Sequence, residues 1–313
     1  MNNYKNYSSI LSSNARSNVT SSIHSKSPPT GTPLAILVTR TPKGFTSLLI
    51  YIAVVSPSKL EFVAMKWRAI DLKGSNFHVT ETSCPELYDQ IREIGYTLDL
   101  RDFPEIYTKW GYYINAFTTG IEEDTLLVLY SGAVDLLQDD ELSFIIGHEM
   151  GHIKSRHVLY HSLAINFSKF INNIPVVSDL IVPALLYWSR MSEFTADRAG
   201  LLACQDEDAA LRTVMKMAGV PQKYFESMDR RVFLEQAKEF EDLLTGSEKA
   251  LKGLSALDNT HPWTILRAAE LIKWIESGEY GRILEEYSPV QCPHCRKDIP
   301  KGSVICPYCD SRI

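Results

Sequence analysis

Residues 145–152 read Ile-Ile-Gly-His-Glu-Met-Gly-His, and no other stretch restricts the fold so tightly. On a helix, positions i and i+4 lie one above the other on a single face. His148 and His152 therefore present two imidazoles to one point, where they can share a tetrahedral Zn²⁺ at about 2.0–2.1 Å. Glu149 is turned about 100° from His148, which sets it beside the metal rather than on it. From there a carboxylate can take a proton from zinc-bound water and later pass it to a leaving amine. Leu142, Ile145, Ile146, Met150 and Ile153 supply the stripe that buries the helix. Asp139, Asp140 and Glu141 place acid in its first turn, against the positive end of the helix dipole. A plain surface helix that happens to carry two histidines needs neither feature.

Catalytic zinc keeps three protein ligands and one open position. Downstream, Ser192-Glu193-Phe-Thr-Ala-Asp197 offers two carboxylates four apart on one helical face. Glu193 would complete a His₂Glu set, and Asp197 would accept a hydrogen bond from the far nitrogen of a ligand histidine. Alone, such a pair is common on solvated helices. It gains meaning from the histidines before it. His157 and His161 also stand at i and i+4, but Val158 occupies the place of the glutamate, and both read as solvated helix positions.

The surrounding pattern is α+β. Leu87, Ile91, Ile94 and Leu98 follow helical spacing after Cys84, and Phe103 to Tyr107, Tyr112 to Phe117 and Thr125 to Tyr130 read as strands. The last of these has no breaker and is expected to be buried. Helices follow over roughly Asp208 to Ala218, Arg230 to Leu244 and Pro262 to Glu276. Residues 1–32 are rich in Ser, Asn and Thr and cannot bury enough apolar surface to offset their ordering entropy. Because ordinary globular composition begins at Met65-Lys66-Trp67, residues 1–64 read as a disordered leader or upstream extension. The main domain then covers 65–287. No stretch reaches the roughly 18–20 apolar residues of a spanning helix. Gly44 to Ser56 and Leu180 to Trp188 come nearest, as core segments or as surfaces lying against a membrane.

Taken in order, Asn115-Ala-Phe117, the β run, His148-Glu-Met-Gly-His152, Glu193-x-x-x-Asp197 and Thr260-His261-Pro262 with Arg267 resemble the CAAX prenyl protease type 1 and HtpX-like zinc metalloendopeptidases. The likeness covers about 65 to 280. It implies a zincin-like, gluzincin-type domain, mostly helical with a small sheet, that hydrolyses internal peptide bonds at one zinc. It also implies His148, His152 and Glu193 as ligands and Glu149 as general acid/base. By the same likeness, Asn115 holds substrate backbone at a strand edge, and His261 stabilises the oxyanion; a cap or surface histidine before Pro262 is the plainer reading of that residue. Arg267 is expected to hold a carboxylate near the site. The membrane-embedded members carry clear spanning helices, so this chain is similar to the soluble or peripherally attached ones. A prenylated substrate is not implied.

The C-terminus carries a second metal signature. Cys292-Pro-His-Cys295 and Cys306-Pro-Tyr-Cys309 are separated by ten residues. Two such turns close a tetrahedral Cys₄ site, and a 288–313 unit with almost no apolar core would draw its folding energy from that zinc. Redox pairs or disulfides are the alternative. Two ions are thus expected, one catalytic and one structural. Four of the six cysteines at metal spacing point to a reducing, cytoplasmic setting, with membrane association left open.

A net charge of −6 gives no pull toward nucleic acid, and the few basic residues of the ribbon change little. The expected partners are protein or peptide substrates, unfolded or damaged, with the ribbon as a substrate- or partner-docking module. A catalytically idle zinc protein that binds partners through the ribbon is the rival reading. Retention of Glu149 argues against it, because a structural site has no use for a general base.

Overall fold

The computed structural model describes residues 59–100, 102–120, 124–157, 175–228, 230–245, 263–287, 290–296, 298–299, 306, 309 and 311–313. The expectations for residues 1–58, His161 and His261 lie outside them. Helix α1 (Lys59–Ser75) leads into β1 (Phe77–Val79), α2 (Pro85–Thr97), β2 (Glu105–Lys109), β3 (Ala116–Thr119) and β4 (Leu126–Tyr130). Then come α3 (Ser131–Leu136), α4 (Asp139–Lys154), α5 (Pro175–Cys204) and α6 (Glu207–Met217). Finally α7 (Arg230–Thr245), α8 (Thr264–Glu276) and α9 (Glu279–Tyr287) precede a short hairpin, β5 (Val290–Gln291) and β6 (Asp298–Ile299). The fold is mostly helical with one small mixed sheet.

That sheet runs β1-β2-β4-β3, with β2 and β4 parallel and the outer pairs antiparallel. Leu126 to Leu129 are fully buried, and their alternation sorts them onto two faces. Leu127 and Leu129 join the main core with Ile91 and Ile94 of α2 and Ile145, Ile146 and Met150 of α4. Leu126 and Val128 meet Leu72 of α1, with Tyr107 and Phe117. A strand apolar on both faces needs a cover on each side, and α1 is the second cover.

Two expected strands are displaced, and each shift has a local cause. Phe103 packs its ring over Gly95 of α2, where a Cβ would lie 2.3 Å from it, and under the Arg92 guanidinium at 3.7 Å. Pairing therefore starts at Glu105, not Phe103. Tyr112 and Tyr113 stand exposed in the turn after β2, with Tyr113 tilted on Tyr130 at 4.5 Å, so β3 starts at Ala116. Neither α1 nor β1 was expected, and α1 begins six residues before the anticipated start at Met65.

The acids that open α4 do more than complement a dipole. Glu141 is fully buried and caps the helix by accepting from the Gln138 backbone N–H at 2.9 Å. The same carboxylate accepts from Lys216 at 2.7 Å and Arg212 at 3.2 Å, both on α6. Arg212 also reaches Asp140 at 2.7 Å. These pairs anchor the start of the histidine helix to the helix behind it. Among the described residues, no helix is long and apolar enough to cross a membrane.

Candidate metal centre

The site depends on how closely α4 and α5 approach. A Cβ built at Gly147 would lie 2.3 Å from Ala203 Cβ, one at Gly151 2.6 Å from Ala199 Cβ, and one at Gly200 2.7 Å from the Phe144 carbonyl. Glycines on both helices, met by Ala196, Ala199 and Ala203, let the two backbones pack without intervening side chains. Gly147 and Gly151 each precede a histidine, so the rings stand about 100° around α4 from the close face, where they can meet a side chain of α5.

Glu193, on α5, thereby reaches the histidines of α4. His152 Nε2 lies 3.2 Å from His148 Nε2, and the Glu193 carboxylate oxygens lie 3.6 Å from His148 Nε2 and 3.5 Å from His152 Nε2. All three residues are buried. Donors around a tetrahedral zinc at about 2.0–2.1 Å stand about 3.3 Å apart, so this triad fits a zinc ion. Two imidazole lone pairs facing each other at 3.2 Å repel unless a cation or proton lies between them.

Behind this triad lies a buried charged chain. His148 Nδ1 is 2.9 Å from Asp197 Oδ1, and Arg267 of α8 grips both oxygens of Asp197, through Nη2 at 2.5 Å and Nε at 2.9 Å. Burial alone would push the Asp197 carboxyl up, but the Arg267 guanidinium and then His148 outweigh it and hold it below the usual carboxylate range. A carboxylate held in this way can accept a hydrogen bond from His148 Nδ1, which leaves Nε2 facing His152 and Glu193. The sequence pairing of Glu193 with Asp197 on one face, and of Arg267 with a carboxylate, agrees with this arrangement. Glu149 follows His148 on α4 and is buried at 7% exposure.

His157 departs from its sequence reading. It is buried, not solvated, with Nδ1 3.1 Å from His152 Nδ1 and its ring edge-on to Trp188 at 5.7 Å. The reading failed because the helix stops at Lys154. Asn115 is exposed just before β3, its Oδ1 accepting from the Ala116 N–H at 3.0 Å and its carbonyl from Tyr130 N–H at 3.0 Å. In the ribbon, Cys292 Sγ lies 3.8 Å from Cys309 Sγ and Cys295 Sγ lies 3.6 Å from Cys306 Sγ. Tetrahedral zinc–thiolate bonds of about 2.3 Å place sulfurs about 3.8 Å apart, so this set also fits zinc. Hydrogen bonds from the Ser311 side chain and then its backbone bring the Cys309 thiol down to about 6, toward the thiolate a metal requires.

Residues 86–275 match the family described as Peptidase family M48. The chain belongs to peptidase family M48. Among similar proteins, the plastoglobule-localized metallopeptidase 48, chloroplastic, of Arabidopsis thaliana is 27% identical over 219 residues. The match covers 68% of this M48 chain and 63% of that relative, so this chain spans less than two thirds of the relative's length. A protein named protease HtpX homolog, from Polynucleobacter necessarius subsp. necessarius (strain STIR1), is 27% identical over 230 residues, covering 64% and 77% of the two chains. The crystal structure of S. mikatae Ste24p aligns over 76% of this M48 chain and 61% of that one, at 14% identity and a TM-score of 0.38. The family match bears out the resemblance seen in the sequence motifs, and the two sequence relatives are named as a metallopeptidase and a protease.

Proposed function

We propose that this M48 protein is a zinc-dependent metalloendopeptidase of gluzincin type that hydrolyses internal peptide bonds of unfolded or damaged proteins. The observation that carries the proposal is the convergence of His148, His152 and Glu193 at tetrahedral spacing, with buried Glu149 beside them. These three residues would hold the ion. A zinc ion bound there supplies Lewis acidity toward water and the peptide carbonyl.

The chain's own groups do the rest. Glu149 takes a proton from the attacking water and returns it to the departing nitrogen. Asp197, held by Arg267, keeps His148 in the tautomer that leaves Nε2 for the metal. β3 is an edge strand of the sheet, and Asn115 at its start offers its amide N–H₂ to an extended peptide added along that edge. His261 is assigned to the oxyanion on its sequence signature. The peptidase domain begins with α1 at Lys59 and runs to 287, and residues 288–313 form a ribbon with a structural zinc on Cys292, Cys295, Cys306 and Cys309, a module for docking substrate or a partner. The idle-protein reading gives the Glu149 carboxylate no chemical role beside the candidate metal site.

The test is digestion of an unfolded protein by the purified chain. Cleavage at internal bonds is expected, abolished by a chelator and restored by zinc. Cleavage that persists with all zinc removed, or release of terminal residues alone, would overturn the proposal.

A further inference from the structure

Resting on the reading of His148, His152 and Glu193 as zinc ligands, we propose that His157 is the positioning residue for His152. It accepts the Nδ1–H of that ring on its own Nδ1, and so fixes the tautomer that leaves His152 Nε2 for the ion.

A neutral imidazole that gives Nε2 to a metal must carry its proton on Nδ1, and a buried N–H needs an acceptor. For His148 that acceptor is Asp197 Oδ1 at 2.9 Å. For His152, His157 Nδ1 faces its Nδ1 at 3.1 Å, a gap with room for one proton. His157 must therefore present a lone pair there and carry its own proton on Nε2.

The local chain is built to bring the ring in. On a continuous helix, His157 would stand about 140° around the axis from His152 and about 7.5 Å along it, far from the ring. Instead α4 ends at Lys154, with Ser155 N–H bonded to the Gly151 carbonyl and Arg156 N–H to that of Ile153, each at 3.0 Å. Arg156 then takes a left-handed conformation, φ 56°, which breaks the helical path before His157. This sets the His157 ring 5.2 Å from that of His152. Trp188 closes the other side at 5.7 Å, five residues before Glu193 on the same helix. His157 is thus wedged between the two helices that carry the ligands.

The two ligand histidines then have unlike supports. One rests on a carboxylate neutralised by Arg267, the other on a neutral ring. The second arrangement orients His152 without burying a further charge.

Two substitutions separate positioning from packing. His157→Phe keeps an aromatic edge against Trp188 and removes the acceptor. His157→Asn places Oδ1 about where Nδ1 was and removes the ring. Zinc affinity is measured by chelator competition at fixed pH, with the ribbon's zinc as internal reference. His157→Phe is expected to weaken the His₂Glu site by about 10–100-fold, and His157→Asn to recover most of that loss. A Phe variant that binds zinc as the wild type does, or an Asn variant weaker than Phe, would overturn the proposal. Should the Phe variant not fold, ¹⁵N-detected imidazole spectra of the zinc-loaded wild type decide the question. They should show His157 protonated on Nε2 alone, and a proton on its Nδ1 contradicts the assignment. A wild type that binds zinc only at the ribbon would instead remove the ligand reading on which this one rests.

Discussion

Glu149→Gln is expected to hold zinc as the wild type does and to cleave an unfolded protein about 10²–10⁴ times more slowly. The carboxamide matches the carboxylate in shape, so the packing of α4 against α5 has no reason to change. What is lost is the ability to take a proton from water and return it to nitrogen. Glu149 is buried beside two candidate ligands, and the field it contributes is felt by Arg267, whose proton is held by Asp197, Glu193 and Glu149 against the pull of burial. Initial rates at saturating substrate, measured alongside bound zinc by elemental analysis, check the prediction. Equal rates would remove Glu149 from the chemistry, and a loss of zinc would turn the effect into one of structure.

Arg267→Met should be the most destabilising single change near the site. Arg267 is 4% exposed and makes two hydrogen bonds to Asp197, at 2.5 and 2.9 Å. Removing it leaves an almost fully buried carboxylate with, among the described residues, His148 as its hydrogen-bond partner. Breaking a buried pair in this way costs about 3–5 kcal/mol, most of it from the stranded charge. Denaturant unfolding of the zinc-free protein measures the cost without the metal's contribution. In an Asp197→Asn background the same substitution should cost much less, because no charge is left unpaired. Equal costs in both backgrounds would mean that Arg267 contributes through packing alone.

Much of the site was legible because its determinants are short-range. Helical periodicity puts His148 and His152 on one face with Glu149 beside it, and the four-residue step puts Glu193 and Asp197 on one face; their separate roles came from zinc's need for a third ligand and from the family resemblance, not from the spacing. β4 was legible for a similar reason, since Leu126 to Leu129 have no polar member to mark an exposed face. What escaped depends on contacts between distant segments. β1 is only three residues long, and α1 carries Trp67 and Ile70 on its exposed side, which blurs its apolar stripe. Gly147, Gly151 and Gly200 gave a usable hint of a tight helix crossing, but glycines inside helices read more readily as weak points. His157 was misjudged because its burial hangs on a single left-handed residue, Arg156, whose side chain does not favour that conformation. The two tyrosines after β2 have strand propensity and still lie in a turn, since Gly111 and Gly132 bring the chain too close to pair there; a Cβ on Gly132 would meet Tyr113 N at 2.4 Å.

Zinc K-edge X-ray absorption on the Cys306→Ser/Cys309→Ser variant tests the central claim most directly. With the ribbon disabled, the account predicts one bound zinc with about two imidazoles and oxygen at about 2.0–2.1 Å, and no sulfur. A variant that binds no zinc, or binds it through sulfur, would contradict it.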